Sequence, residues 1–227
     1  MSNAGQEPKG GAERHLGHIA LHYRVPEEGP LAARLLMLVG FQVVQDFPMP
    51  DGTRFYQLAL DGAEAAAGQG IVYLSALPAP DRALMAAVHA ALRVGEVDEH
   101  PAVAGFRAAQ ASDPEYGFHV GIVARSLDWV ERTMLAAREL AANDPAFKGR
   151  LNLLANRSRR GTAAVDERLD TSPVFGDTPR YTYGRHAVQA FIETDIFAAG
   201  PLGEKLVLEL DYVFPGYPEN MFTKTEI

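Results

Sequence analysis

One pattern constrains this chain more than any other. A short apolar strand with a histidine near its start, followed directly by an amphipathic helix, occurs once in each half. In the first half, HLGHIALHYRV places strand formers Leu16, Ile19, Leu21, Tyr23 and Val25 on two alternating faces, with His18, Ala20 and His22 sharing one of them. Pro26 and Pro30 end the strand, and Leu31, Leu35 and Leu38 form a helical stripe stopped by Gly40. In the second half, YGFHVGIVA is again a strand led by a histidine, His119. Ser126 then caps a helix striped with Leu127, Val130, Met134 and Ala137. Such an internal duplication predicts two related modules around a shared cleft.

The rest of the first module is three strands, at Phe41 to Phe47, Arg54 to Leu60 and Ile71 to Leu77. The first two are separated by the turn residues Pro50, Asp51 and Gly52. Asp81 to Val94 reads as an extra helix with Gly95 as its stop. Residues 143 to 180 read as an insertion, with a short helix at Gly149 to Asn156. Two closing strands follow at Tyr181 to Thr194 and Glu204 to Phe214. The predicted fold is therefore α+β, with paired βαβββ modules forming a curved mixed sheet around a central cleft, and with helical insertions. The expected divisions are a polar, Gly-rich tail at 1–14, a first module at 15–80, a helical connection at 81–114, a second module at 115–214 and a C-terminal tail at 215–227.

Composition bounds the chemistry. The 21 Lys+Arg against 29 Asp+Glu give a formal net charge of −8, which argues against nucleic acid as the main partner. No run approaches eighteen apolar residues, and no basic segment leads into an apolar one at the N-terminus. The expectation is a cytoplasmic protein with no membrane partner. Cysteine is absent, so a metal must be held by nitrogen and oxygen.

If the modules are related by pseudo-symmetry, His18 and His119 approach each other across the cleft. Glu209, flanked by Leu208 and Leu210 in the apolar run KLVLELDYVF, is a costly mid-strand carboxylate unless it is paired or metal-bound. Together the three would make a two-histidine, one-carboxylate face suited to Fe(II) or Mn(II), with Zn(II) also compatible. The competing reading is two hydrogen-bonded core histidines and an acid paired with an arginine. His22 reads as support or cleft wall, and His89 and His100 as solvated. The cluster Arg157, Ser158, Arg159 and Arg160 reads as a basic turn or as a seat for an anionic group.

In this order, the runs LGHIALHYRV, FHVGIVARSLDWVERTM, GRHAVQAFIETD and LVLELDY resemble the vicinal-oxygen-chelate superfamily over most of residues 15 to 214. That superfamily includes glyoxalase I, fosfomycin-resistance proteins and type I extradiol ring-cleaving dioxygenases, and the catalytic half of the last is the nearest in look. The resemblance implies His18, His119 and Glu209 as metal ligands and His186 as a catalytic group contacting substrate or the reacting oxygen. It implies Fe(II) as the metal, with O2 and a small catechol- or hydroquinone-like aromatic as substrates. Where those enzymes carry a further acid–base histidine, IVYLSAL offers Tyr73 or Ser75, and Tyr73 is the candidate substitute. Ile192 stands where a tyrosine is expected. A non-redox lyase, isomerase or transferase on the same triad and a metal-free binding protein are the alternatives. A homodimer is the expected assembly.

Overall fold

The computed structural model describes residues 16–180 and 185–217. It is an α+β protein with two mixed four-stranded sheets and six helices. The first sheet holds β1 (His18–Tyr23), β2 (Gln42–Pro48), β3 (Arg54–Ala59) and β4 (Ile71–Ala76) in the order β1-β4-β3-β2. The second holds β5 (His119–Val123), β6 (Leu151–Arg157), β7 (Ala187–Thr194) and β8 (Leu206–Val213) in the order β5-β8-β7-β6. In each, the first strand runs parallel to the last and the other pairs are antiparallel.

A long helix follows the first strand of each sheet: α1 (Gly29–Leu38) and α5 (Leu127–Asn143). Helix α1 stops where Gly40 takes φ 98°, a left-handed conformation open to glycine at little cost. Helix α5 begins where the Ser126 hydroxyl accepts from the Trp129 amide. Both helices bury apolar stripes against the sheets. Their residues join one core with Leu21, Leu58 and Leu74 of the first sheet and Ile122, Val188, Ile192 and Leu208 of the second. Tyr23, fully buried, bridges to Phe197 from the second half, and its hydroxyl donates to Arg54 O and accepts from Arg54 N.

The remaining helices are α2 (Gly62–Ala66), α3 (Ala79–Leu92), α4 (Pro101–Ser112) and α6 (Ala163–Asp170). Helix α3 corresponds to the helix expected at 81–94, α4 falls in the connection expected to be helical at 81–114, and α2 has no counterpart among the expected elements. The helix expected at Gly149 to Asn156 is a strand instead. Residues Leu151–Arg157 pair along their whole length with β7, which outweighs the helix preference of Leu and Ala, so the segment expected as an insertion supplies β6 and α6. The expected strand from Tyr181 is seen from Ala187, and Tyr181 to Gly184 lie outside the described residues. Among the described residues, no helix is long and apolar enough to cross a membrane.

Candidate metal centre

The second sheet has two unlike faces because side chains alternate along each strand. One face presents Ile122, Leu208, Leu210, Val188, Ala190 and Ile192 to the core. On the other, register aligns Gly121 of β5, Glu209 of β8 and Phe191 of β7. It aligns Val123 with Asp211 and Gln189 in the same way. Polar side chains thus gather on this face above a dry core.

Glu115, His119 and Glu209 each bring one ligand atom to within 4.8 Å of the others, an arrangement that can hold a metal ion. His119 opens β5, Glu209 sits in the middle of β8, and Glu115 lies in the 3-10 turn Pro114–Tyr116 just before β5. That turn is fixed by Asp113, whose carboxylate accepts from the Glu115 amide.

One hydrogen bond orients the ring of His119. Its Nδ1 lies 3.0 Å from Gly117 O, and because a carbonyl oxygen only accepts, Nδ1 carries the proton. In the neutral ring Nε2 then presents a lone pair, 3.7 Å from Glu209 Oε2 and 3.9 Å from Glu115 Oε2. In that form Nε2 and the two carboxylate oxygens are placed to share one cation. Gln189, fully buried, holds both acids in place: its amide nitrogen donates to Glu115 Oε1 at 2.6 Å and to Glu209 Oε1 at 2.8 Å.

A third acid adjoins the group. Asp211 is 5% exposed, and its Oδ1 and the Gln189 Oε1 are buried oxygens without a hydrogen-bond partner. Among the described residues, no lysine or arginine forms an ion pair with Glu115, Glu209 or Asp211. Burial, with the nearby Glu209 charge, raises the Glu115 carboxyl above its usual range. Burial, followed by the charge of Glu209 and a hydrogen bond with it, pushes Asp211 up to about 8. Acids without a lysine or arginine partner among the described residues, together with orphaned buried oxygens, fit a bound divalent ion.

The other sequence candidates lie elsewhere. His18 belongs to the first sheet and is not a member of the three-residue group. Its ring packs on Tyr73 with centroids 4.7 Å apart. His22 Nδ1 is 3.1 Å from Ser75 Oγ, which fits a supporting role. His186 stacks on Tyr217 at 4.0 Å and its Nε2 lies 2.8 Å from Thr162 Oγ1, in a hollow also lined by Arg159, Arg160 and Arg185. Arg157 of the basic cluster is nearly buried and structural, bonded to Thr178 O and Asp170. His100 caps α4 rather than facing only solvent, accepting from the Ala102 amide, and His89 is half-buried. His119 and Glu209 therefore come together as the strand pattern predicts, His18 does not join them, and Glu115 takes the third place. Its only trace in the sequence is an acid in the Asp-Pro-Glu turn ahead of the strand. Comparison with protein-family models, with curated proteins and with solved structures found no match.

Proposed function

We propose that this chain is a divalent-metal-dependent enzyme of the vicinal-oxygen-chelate type, using the ion as a Lewis acid on a small molecule that offers it two adjacent oxygens. In this reading each sheet with its long helix is one βαβββ module, and the cleft between the modules admits substrate to the polar face of β5, β8 and β7. The observation that carries it is the His119 Nε2 set 3.7 Å from a Glu209 carboxylate oxygen and 3.9 Å from a Glu115 one, with no lysine or arginine paired to either acid among the described residues. An ion held there would supply charge to stabilise an oxyanion or to acidify a bound hydroxyl. The protein's own part is to fix the imidazole orientation through Gly117 and to align the two carboxylates through Gln189. One imidazole with two carboxylates is a harder donor set than two imidazoles with one carboxylate. It favours non-redox chemistry with Mn(II) or a similar ion.

A ring-cleaving, Fe(II)-dependent dioxygenase is the second reading. It is favoured by one observation: His18 opens β1 as His119 opens β5, and sits against Tyr73. It needs His18 to reach the ion.

Metal titration by calorimetry tests the site. Wild-type protein is expected to bind one Mn(II), with affinity lost in His119→Ala and in Glu209→Gln; unchanged affinity in both variants overturns the proposal. Oxygen-electrode assays of the Fe(II)-loaded protein with catechols and hydroquinones separate the two reactions. Oxygen uptake that is lost in His18→Ala would establish ring cleavage in place of the non-redox reading.

A further inference from the structure

Asp211 lies outside the three-residue group, and its carboxyl meets that of Glu209, an acid that supplies no counter-charge. A carboxyl that is 5% exposed in the middle of a sheet, with Oδ1 unpartnered, is expensive to bury. Its neighbours across the strands are equally telling. Gly121, the register partner of Glu209, has no side chain, and the space a Cβ would take there lies 3.8 Å from Asp211 Oδ2 and 4.0 Å from Glu209 Oε2. The two carboxylates therefore flank a gap on the sheet surface that exists because residue 121 is glycine. Gln189, directly across from Asp211, adds its own orphaned Oε1 while donating to Glu209 and Glu115. Asp211 Oδ2 and Glu209 Oε2 wall the gap, and Asp211 Oδ1 and Gln189 Oε1 on the same two strands lack donors, a set of oxygens that a cation would satisfy.

We infer that Asp211 is a further ligand of the ion, closing its coordination from the side of Glu209 opposite His119 across the gap above Gly121. This rests on the proposed metal centre and extends its donor set to three carboxylates and one imidazole, a set suited to a hard divalent cation that takes more than four ligands. The gap itself then becomes part of the site. Gly121 is required by the ion's room, since an alanine Cβ would meet its neighbours at ordinary van der Waals distance and leave the strand unstrained.

Mn(II) binding by calorimetry, with the electron paramagnetic resonance signal of the bound ion as a second readout, tests this on the full chain. Asp211→Asn and Gly121→Ala are each expected to weaken Mn(II) binding about tenfold or more and to alter the bound-ion spectrum, by analogy with the loss seen when groups around a metal are removed. Both variants should fold, with metal-free thermal midpoints at or above that of wild type. Val123→Ala, on the same face, should bind as wild type. Wild-type affinity and spectrum in Asp211→Asn and Gly121→Ala, with binding still abolished in His119→Ala, would overturn the role of Asp211 and leave the metal centre standing. Undiminished binding in His119→Ala would overturn both.

Discussion

His119, Glu115, Glu209 and Asp211 make a small region where charge and burial oppose each other, and this opposition sets a pH dependence. With the Asp211 carboxyl held up to about 8 in the fold, against about 3.9 in an unfolded chain, the folded state binds the proton more tightly. Below about pH 4 both states are protonated and there is no difference. As pH rises towards 8 the unfolded chain releases its proton first, so the free energy of unfolding falls, levelling off above the folded value. Glu115, also raised, adds a contribution of the same sign. Urea unfolding in chelator-containing buffer should show this decline between pH 4 and 8, and Asp211→Asn should flatten most of it; a wild-type curve rising over that range would refute the assignment. What the sequence discloses at this scale is uneven. Glu209 stands out because its neighbours in the strand are leucines, and His119 because it leads one. Glu115 belongs to a turn, where no periodicity marks which side chains point inward, and Asp211 reads as a routine polar residue near a strand end.

Between helices α5 and α6, the weight falls on one buried acid. Glu131, 7% exposed, accepts from both terminal nitrogens of Arg168 and from the Ser172 hydroxyl, while Arg168 also reaches Asp128. Arg168 is correspondingly held well above its ordinary pKa by the hydrogen bond to Glu131. Replacing Glu131 by Ala leaves the Ser172 hydroxyl without its acceptor and the guanidinium with Asp128 alone. A loss of about 2–3 kcal/mol is expected in denaturant unfolding, reduced from the fully buried case because Arg168 keeps some contact with water. A loss below about 0.5 kcal/mol would mean that the contact is a surface pair. The elements that patterning finds are those with one clear face: β1, β5, β8, α1 and α5. It fails at β6, where Leu151, Leu153 and Ala155 alternate inward but Leu154, facing outward, makes the run resemble a helix. It also passes over α4, whose alanines carry helix propensity with little stripe.

The two sheets unfold together or apart according to what lies between them, and here the core is continuous. Residues of α1, α5 and both sheets belong to one buried cluster, Trp129 packs against the backbone at Gly40, and Arg150 links Glu28 of the first half to Asp195 of the second. Thermal unfolding followed by Trp129 fluorescence and by far-ultraviolet circular dichroism should therefore give coincident single transitions. Two resolved steps would show that the halves are separate cooperative units. The sequence repeats strand, histidine and helix, and each sheet has a histidine-led strand followed by a long helix and the same pattern of strand order. Correspondence between the halves does not mean proximity, however. His18 and His119 occupy matching places in two different sheets, and the histidine the repeat offers as a partner stands beside Tyr73, away from the acids.

Strand β5 is the outermost member of its sheet and hydrogen-bonds along one side to β8, itself enclosed by β5 and β7. The imidazole thus rides on an edge strand, while Glu209 rides on one that opens only when the sheet does. Escape of a bound ion then needs no rearrangement of the core, only a brief peeling of five residues. The dwell time of the ion and the amide exchange of His119 to Val123 become two clocks set by the same event, and adding Mn(II) should slow exchange along β5 and at the β8 amides that face it, while leaving the pairing of β7 with β6 as it was.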